Sequence, residues 1–508
     1  MRFFEKYIGQ LLFIVALSVA VLSFDQYGMS WDEPMQRMTG NVSYDYVFSN
    51  DPSLFKWIDK DYGVVFELPL IILEKTLNLS DPREVHLMRH LVAHIFFLVG
   101  CYYFFLLINY MYNNKLLAAM GFLFLLLHPR LYSQSFFNTK DIPFLAMFII
   151  SLYYSAKAFN KKAILGFIKL GVCVGILINL RLMGVIMLAG ILSVLVLDFS
   201  LTTKRNLKLG FVFLSVAMIT LYITWPFLWF DPINNLVFAF KNMAQFRWEG
   251  TVLFFGELIS AKNLEWTYIP VWFILTNPIV NLFLGFLGIF LLIIKLVKNP
   301  QLIIKNSFDR TNLMHLFYFI GPIIAVVVLH SVLYDGWRQM YFIYPPFVLM
   351  IIYGLNETAK KRKSLFRVFA IIVSVSLFFN TVFMFKNYPV QFVYFNQILS
   401  NTPTEYIRKN FEQDYHGVSY KQALEFILKN DSSKYIRISV QNNPGIYNVQ
   451  LLPESDRKRI EIVVPEDTPD YFITEYRWHP NDYYEFNQFK FHSIQVNDNT
   501  IIETFKFK

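Results

Sequence analysis

Long apolar stretches alternate with short charged ones over the first three-quarters of the chain, and the alternation has the period of membrane spans. A helix rising 1.5 Å per residue needs about 20 apolar residues to cross the hydrocarbon core. Eleven runs approach or exceed that length, near 8–24, 88–110, 116–132, 143–159, 163–180, 182–198, 209–229, 269–294, 314–333, 341–356 and 367–385. They predict an all-α polytopic membrane domain over residues 1–385. The first run is as short as a signal peptide, but it has no small-residue cleavage site and more spans follow, so it reads as a retained anchor. From about Lys386 the pattern changes to 14 Lys/Arg against 16 Asp/Glu, with no spanning run. Here Ser419 followed by Tyr420–Leu428 reads as a capped helix. Lys434–Gln441, Arg459–Val464 and Tyr471–Glu475 read as strands, and Gln488–Gln495 with Thr500–Lys506 as a hairpin around Asn497-Asp498-Asn499. Residues 386–508 are therefore expected to form a small α/β domain.

Composition excludes several classes. Hydrophobic residues are 55% and charged residues 16%, against roughly 25% charged in soluble domains. That rules out disorder, a coiled coil and an ordinary cytosolic enzyme. Cys101 and Cys173 both lie inside apolar runs, which rules out a disulfide framework. The net charge of +9 invites a nucleic-acid partner until the charges are placed. With the N-terminus cytoplasmic, the inward loops carry eighteen Lys/Arg and four acids, whereas the outward loop from Asp25 to Glu84 carries eleven acids and five bases. The positive-inside rule accounts for the basic balance, and nucleic acid drops out. The chain is expected to be an integral protein of a bacterial inner membrane, its tail extracytoplasmic.

Chemistry is expected in the outward loops. In the first, at about 25–87, Ser30-Trp31-Asp32-Glu33-Pro34 places two adjacent acids just beyond a span, where one can act as general base. The same residues read structurally as a capping box, Glu33 folding back on the Ser30 amide and leaving Asp32 free, although a helix N-terminus also favours an acid for stability alone. Between the third and fourth spans lie His128-Pro129-Arg130 and Asn138-Thr139-Lys140-Asp141-Ile142-Pro143. Lys140 and Asp141 are ionisable groups at the mouth of an apolar run, either functional or an interfacial pair that snorkels and caps. Tyr334-Asp335-Gly336-Trp337-Arg338-Gln339-Met340-Tyr341 carries Arg338, an outward guanidinium against the charge bias that suits phosphate, unless Asp335 simply pairs with it. His86, His90 and His94 fall on one helical face beside Arg89 and offer a metal stripe without a further acidic or Cys partner. Arg181, at the next outward turn, reads as a snorkelling residue.

At these segments the chain resembles the polytopic glycosyltransferases of the GT-C superfamily, in the branch of the protein O-mannosyltransferases and the lipid A aminoarabinose transferases. The acidic pair of the first outward loop is matched by Asp32 and Glu33, and the second Asp by Asp141. The late Arg-x-x-Tyr before a Pro-containing span is matched by Arg338, Tyr341, Pro345 and Pro346, and an Arg opening the second span by Arg89. Tyr62-Gly63 departs from a His-Pro-Pro-like element, and the C-terminal domain does not match the mannosyltransferases' lumenal module. The resemblance implies a GT-C-like fold of about eleven transmembrane helices and a sugar donor carried on polyprenyl phosphate. The acceptor is a hydroxyl of a lipid, glycan or protein, and membrane lipids surround the whole. It implies Asp32, Glu33 and Asp141 as catalytic residues, with Asp32 the general base. Lys140, Arg338, Arg89 and Tyr341 would bind the donor phosphate, supported by Asn138, His128, Arg130 and Asp335. The resemblance fixes no cofactor; a divalent metal ion, held by Asp141, is the candidate, with no metal set defined. A flippase of lipid-linked glycans and a non-catalytic assembly subunit are the competing readings. The first of these expects acids in mid-span, where this sequence has almost none.

Overall fold

The computed structural model describes residues 2–198, 202–244 and 246–508. The helices in order are α1 (Arg2–Val21), α2 (Asp32–Ser49), α3 (Glu67–Thr76), α4 (Pro82–Tyr112), α5 (Lys115–Leu126), α6 (Pro129–Phe137), α7 (Asp141–Lys161), α8 (Ile164–Leu180), α9 (Val185–Leu197), α10 (Thr203–Thr224), α11 (Pro232–Ala244), α12 (Tyr268–Thr276), α13 (Ile279–Lys298), the single turn α14 (Leu302–Lys305), α15 (Ser307–Val328), α16 (Tyr344–Lys361) and α17 (Lys363–Lys386). Between α11 and α12, β1 (Thr251–Phe254) and β2 (Glu257–Ser260) pair antiparallel.

A helix stands at each of the eleven expected positions, but not every one is a full span. Among the described residues, α4, α7, α10, α13, α15 and α17 are long and apolar enough to cross a membrane. The run 116–132 is a broken pair, α5 and α6, bent by 61°. Pro129 cannot donate to the turn before it, and His128 caps the new helix by accepting from the Leu131 amide. The run 269–294 breaks at Asn277-Pro278 for the same reason. α16 is shortened as a span by Glu357, Lys360 and Lys361 in its last turns. Hydrophobic counting is blind to such breaks, because a proline does not lower the apolar score of its neighbours enough to end a run.

α7 is the most enclosed of the long helices, whereas α10 and α17 turn Phe211, Ile219, Phe378 and Phe385 outward, as a lipid-facing surface requires. α13 and α16 approach so closely that a side chain on Gly288 would strike the Met350 carbonyl, the small-residue contact typical of helices packed in membranes. α7 runs from Asp141 to a basic end, where Lys162 and Arg310 both pair with Asp198 and Lys295 pairs with Asp309.

Residues 387–419 do not begin a separate core. Val390, Phe392, Phe395, Phe411 and Val418 are buried in the membrane-domain core, Arg130 Nε donates to the Tyr394 carbonyl, and Asn396 Nδ2 donates to the carbonyls of Ile274 and Asn277. The composition break at 386 marks the end of the last span; the second core starts at Tyr420. It comprises helix Tyr420–Asn430 and a five-stranded sheet of β3 (Ile436–Val440), β4 (Ile460–Ile462), β5 (Tyr471–Thr474), β6 (Lys490–Val496) and β7 (Asn499–Lys506), ordered β4-β3-β5-β7-β6. β3 is parallel to β4 and β5, while β7 is antiparallel to β5 and β6. The β6–β7 turn places Asn497 and Asp498 both at positive φ, the conformation that tight hairpins select.

Candidate active site

The N-terminus of α2 forms half of the expected capping box. The Ser30 amide donates to Glu33 Oε1 at 2.8 Å, but the Ser30 hydroxyl turns away to the Phe137 carbonyl. Glu33 is fully buried, with Oε2 2.9 Å from His90 Nε2 and 3.5 Å from His86 Nδ1. Two histidines of the predicted stripe thus serve one carboxylate. Burial opposes ionisation of Glu33, yet these rings hold its carboxyl down at about 2. The third, His94, meets the Ser135 hydroxyl and stacks on Phe136. With Glu33 occupied, Asp32 is left to face the loops.

Asp32 meets Arg338, which enters from the short turn Arg338–Ile343 between α15 and α16. Arg338 Nη1 lies 2.6 Å from Asp32 Oδ2 and 3.3 Å from Asp141 Oδ2; Nη2 lies 2.8 Å from Asp335 Oδ2. Asp141 is paired on its other oxygen with Arg181 at 2.5 Å, and Asp335 with Arg477 of the C-terminal region at 2.6 Å. Asn138 fixes Asp141, donating to Oδ2 from its side chain and accepting from the Asp141 amide. Three carboxylates and three guanidiniums therefore alternate, Arg181–Asp141–Arg338–Asp335–Arg477, with Asp32 on the central cation. Asp141 and Asp335 are 1% and 4% exposed at the side chain, whereas Asp32 is 34% exposed. Burial works to raise the Asp32 carboxyl, but Arg338, helped by His416 and Lys140, holds it well below the usual carboxylate range. It is a carboxylate at any physiological pH.

A divalent ion does not fit this donor set. The position between Asp32 and Asp141 that it would need is taken by the Arg338 guanidinium. Among the described residues no three of His, Cys, Asp and Glu group closely enough to hold a metal.

Beside the ion-pair chain opens a cavity of about 250 Å³ between the first loop, α8–α9, α11 and the end of α15. Its walls are mainly apolar, with Trp225, Met243 and Val326 among them, and Lys140, Arg181, Gln339 and the Asp61 carboxylate also line it. Lys140 Nζ lies over the Tyr62 ring, 3.1 Å from its centroid, and among the described residues no carboxylate is within ion-pair distance of it. Gly63 permits this arrangement, since a side chain there would collide with the backbone of Asn179. Desolvation, then the Arg181 charge, draws the Lys140 ammonium down to about 7 against the pull of Asp32, Asp141 and Asp59.

The remaining expected residues are placed as follows. Arg89 is fully buried and paired with Glu67, away from the cavity. Tyr341 is buried, its hydroxyl accepting from Gln134 Nε2. His128 caps α6 and meets Asn277 Oδ1 at 3.1 Å, while Arg130, packed on Trp272 and Phe395, ties α6 to residues 394–395. Asp335, read as a partner of Arg338, also holds Arg477. Sequence reasoning read Arg181 as a snorkelling residue, whereas it pairs with Asp141, and passed over Arg477. Arg181 carries the same signal as Arg338, a guanidinium at an outward turn; Arg477 lies between Tyr476 and Trp478 directly after β5.

No family model matches the sequence, and no curated protein matches it. Solved structures do. The oligosaccharyltransferase of Archaeoglobus fulgidus in its apo form aligns with a TM-score of 0.54 at 10% identity, over 92% of this chain and 66% of that one. The same enzyme tethered to an acceptor peptide containing the NVT sequon aligns with a TM-score of 0.50 at 12% identity, over 92% and 65%. ArnT of Cupriavidus metallidurans bound to undecaprenyl phosphate aligns over 98% of both chains at 12% identity, with a TM-score of 0.47. The chain thus spans just under two thirds of the archaeal enzyme's length. The likeness to that enzyme is one of fold alone; in this chain the fold is a domain of long apolar helices followed by a smaller C-terminal region containing a sheet.

Proposed function

We propose that this chain is a membrane glycosyltransferase that moves a sugar from a polyprenyl-phosphate carrier to an acceptor hydroxyl outside the cytoplasm. The observation that carries the reading is Asp32: of the three carboxylates around Arg338, it alone keeps a third of its side chain open. The fold supports the class of enzyme, and the positive-inside distribution supports an extracytoplasmic site on an N-in topology.

The geometry divides the work differently from the sequence expectation. Arg338, enclosed by Asp32, Asp141 and Asp335, fixes the carboxylates rather than gripping phosphate. Lys140 and Arg181, which line the cavity, receive the donor phosphate, and the apolar walls take the first isoprene units. An acceptor hydroxyl attacks the anomeric carbon, the bond from that carbon to the phosphate oxygen breaks, and the phosphate leaves with its electron pair onto Lys140. Asp32 Oδ takes the hydroxyl proton. A weak base suffices because the proton becomes acidic as the new C–O bond forms. Glu33 and Asp141 act as positioning residues, through the α2 terminus and through Arg338.

The test uses the full chain in lipid nanodiscs, with radiolabelled polyprenyl-phosphate monosaccharides and a membrane extract as acceptor. Positioned general bases contribute about 10²–10⁴-fold, so Asp32→Asn should lose transfer by that factor while still binding donor. Full activity in Asp32→Asn would remove the base role; a wild-type chain that binds no polyprenyl phosphate would remove the whole reading.

A further inference from the structure

At the junction with the C-terminal region, where Arg477 reaches Asp335, lies a notch of about 20 Å³, lined among others by Glu412, Gln413, Tyr476, Arg477 and Trp478. Several of its polar atoms lack partners. Gln413 Oε1 and Arg477 Nε make no hydrogen bond, nor does the neighbouring Trp31 Nε1, and the Glu412 carboxyl has no side-chain partner and faces only the Leu253 backbone. Glu412 is 6% exposed. Buried polar groups are hydrogen-bonded almost without exception, and those that are not call for a ligand or a water. A volume of this size admits one water or one hydroxyl.

The rim is aromatic. Trp31, immediately before Asp32, stands 6.1 Å from Trp478 at an interplanar angle of 59°. The Arg477 guanidinium lies over both rings, 4.5 Å from Trp478 and 5.6 Å from Trp31. Trp478 is anchored through Nε1 to the Thr251 carbonyl of β1, yet 38% of the residue stays open. The backbone that presents it is strained: Tyr476 and Trp478 adopt φ of 63° and 61°, the left-handed region that aromatic residues rarely enter.

We infer that Trp31, Trp478 and the Glu412–Arg477 notch form an acceptor subsite for a pyranose ring, so that the acceptor of the transfer is a glycan. The inference rests on the transferase reading above and specifies its second substrate. The C–H face of a pyranose is apolar and packs on an indole. A ring hydroxyl entering the notch finds carboxyl and amide oxygens and a guanidinium N–H as mutual donors and acceptors. The Trp31 ring places a sugar so bound next to the open carboxylate of Asp32.

Saturation-transfer NMR on the full chain in nanodiscs, with methyl pyranosides, a xylo-oligosaccharide series and an unrelated hydroxyl-bearing peptide as probes, tests this. Binding of a pyranoside that weakens at least tenfold in Trp478→Ala and in Glu412→Ala, and recovers in Trp478→Phe, is the expected result. Absence of pyranoside binding, or binding that Trp478→Ala leaves unchanged, overturns the inference, as does a peptide that occupies the site in place of the sugars. Undecaprenyl phosphate binding measured on the same samples separates the two levels. If it persists in Trp478→Ala while pyranosides fail to bind the wild type, only the acceptor assignment falls; if the wild type does not bind it, both fall.

Discussion

The apolar cavity and the C-terminal notch lie at the two ends of one ion-pair chain, at Arg181 and at Arg477, and each holds a titratable group of a different kind. On the membrane side Lys140 is a cation with no carboxylate within ion-pair distance among the described residues, set among apolar walls. At the other end Glu412 is a buried carboxyl that burial pushes up to about 8, so that it is mostly uncharged at neutral pH. Between them the three Asp and three Arg cancel. On the proposed reading, an anionic phosphate is drawn to the cavity and a neutral polyhydroxyl group to the notch. That reading gives the centre a direction, donor from the cavity and acceptor from the notch, with the partly open Asp32 as the base.

The strongest way to break that comparison is to remove its pivot. Arg338→Ala leaves Asp32, Asp141 and Asp335 facing one another in a buried space. Stripping one partner from a buried ion pair destabilises by about 3–5 kcal/mol, so thermal unfolding in detergent should shift markedly downward and transfer should vanish. If the variant melted like the wild type and lost only donor affinity, Arg338 would be a phosphate ligand and the division of labour drawn here would be wrong. Lys140→Ala sharpens the same comparison with a smaller effect. A charge-assisted hydrogen bond contributes about 1.5–3 kcal/mol, so polyprenyl-phosphate affinity should fall at least tenfold in a binding titration, with melting nearly unchanged.

Much of this centre was legible because ionisable residues at the ends of apolar runs are few. Asp32, Lys140, Asp141 and Arg338 could be picked out by cost alone, and the structure brings them together. The pairing within the set was not legible. Whether a guanidinium meets phosphate or carboxylates depends on three segments separated by more than a hundred residues, and Arg181 and Arg338 give the same local signal. Arg89 shows the converse: a favourable position at the start of a span, consumed by Glu67, whose proximity no periodicity reveals. The strands of the C-terminal sheet were readable from alternation and turn residues. The strap 387–419 was not, since its apolar residues are scattered and find their core in another domain.

The smallest effect separates Lys140 from its neighbours by pH. The groups facing it are Asp32, Asp59, Asp141, Arg181 and Tyr62. Asp32, held low by Arg338, stays ionised over the neutral range. Burial raises the Asp59 carboxyl, with Lys140 and Arg247 opposing it, and burial raises the Tyr62 phenol well above its ordinary range. Lys140, drawn down to about 7, is charged below that pH and neutral above it, so the cationic form is lost as pH rises. A glycosyl phosphodiester donor carries one charge throughout this range. Because bound phosphate favours the protonated amine, the donor's affinity should therefore weaken several-fold between about pH 6 and 8.5. In Lys140→Arg, where the charge cannot be removed, the affinity should be flat with pH. A slope that survives in that variant would assign the titration to another group and remove Lys140 from the phosphate side of the comparison.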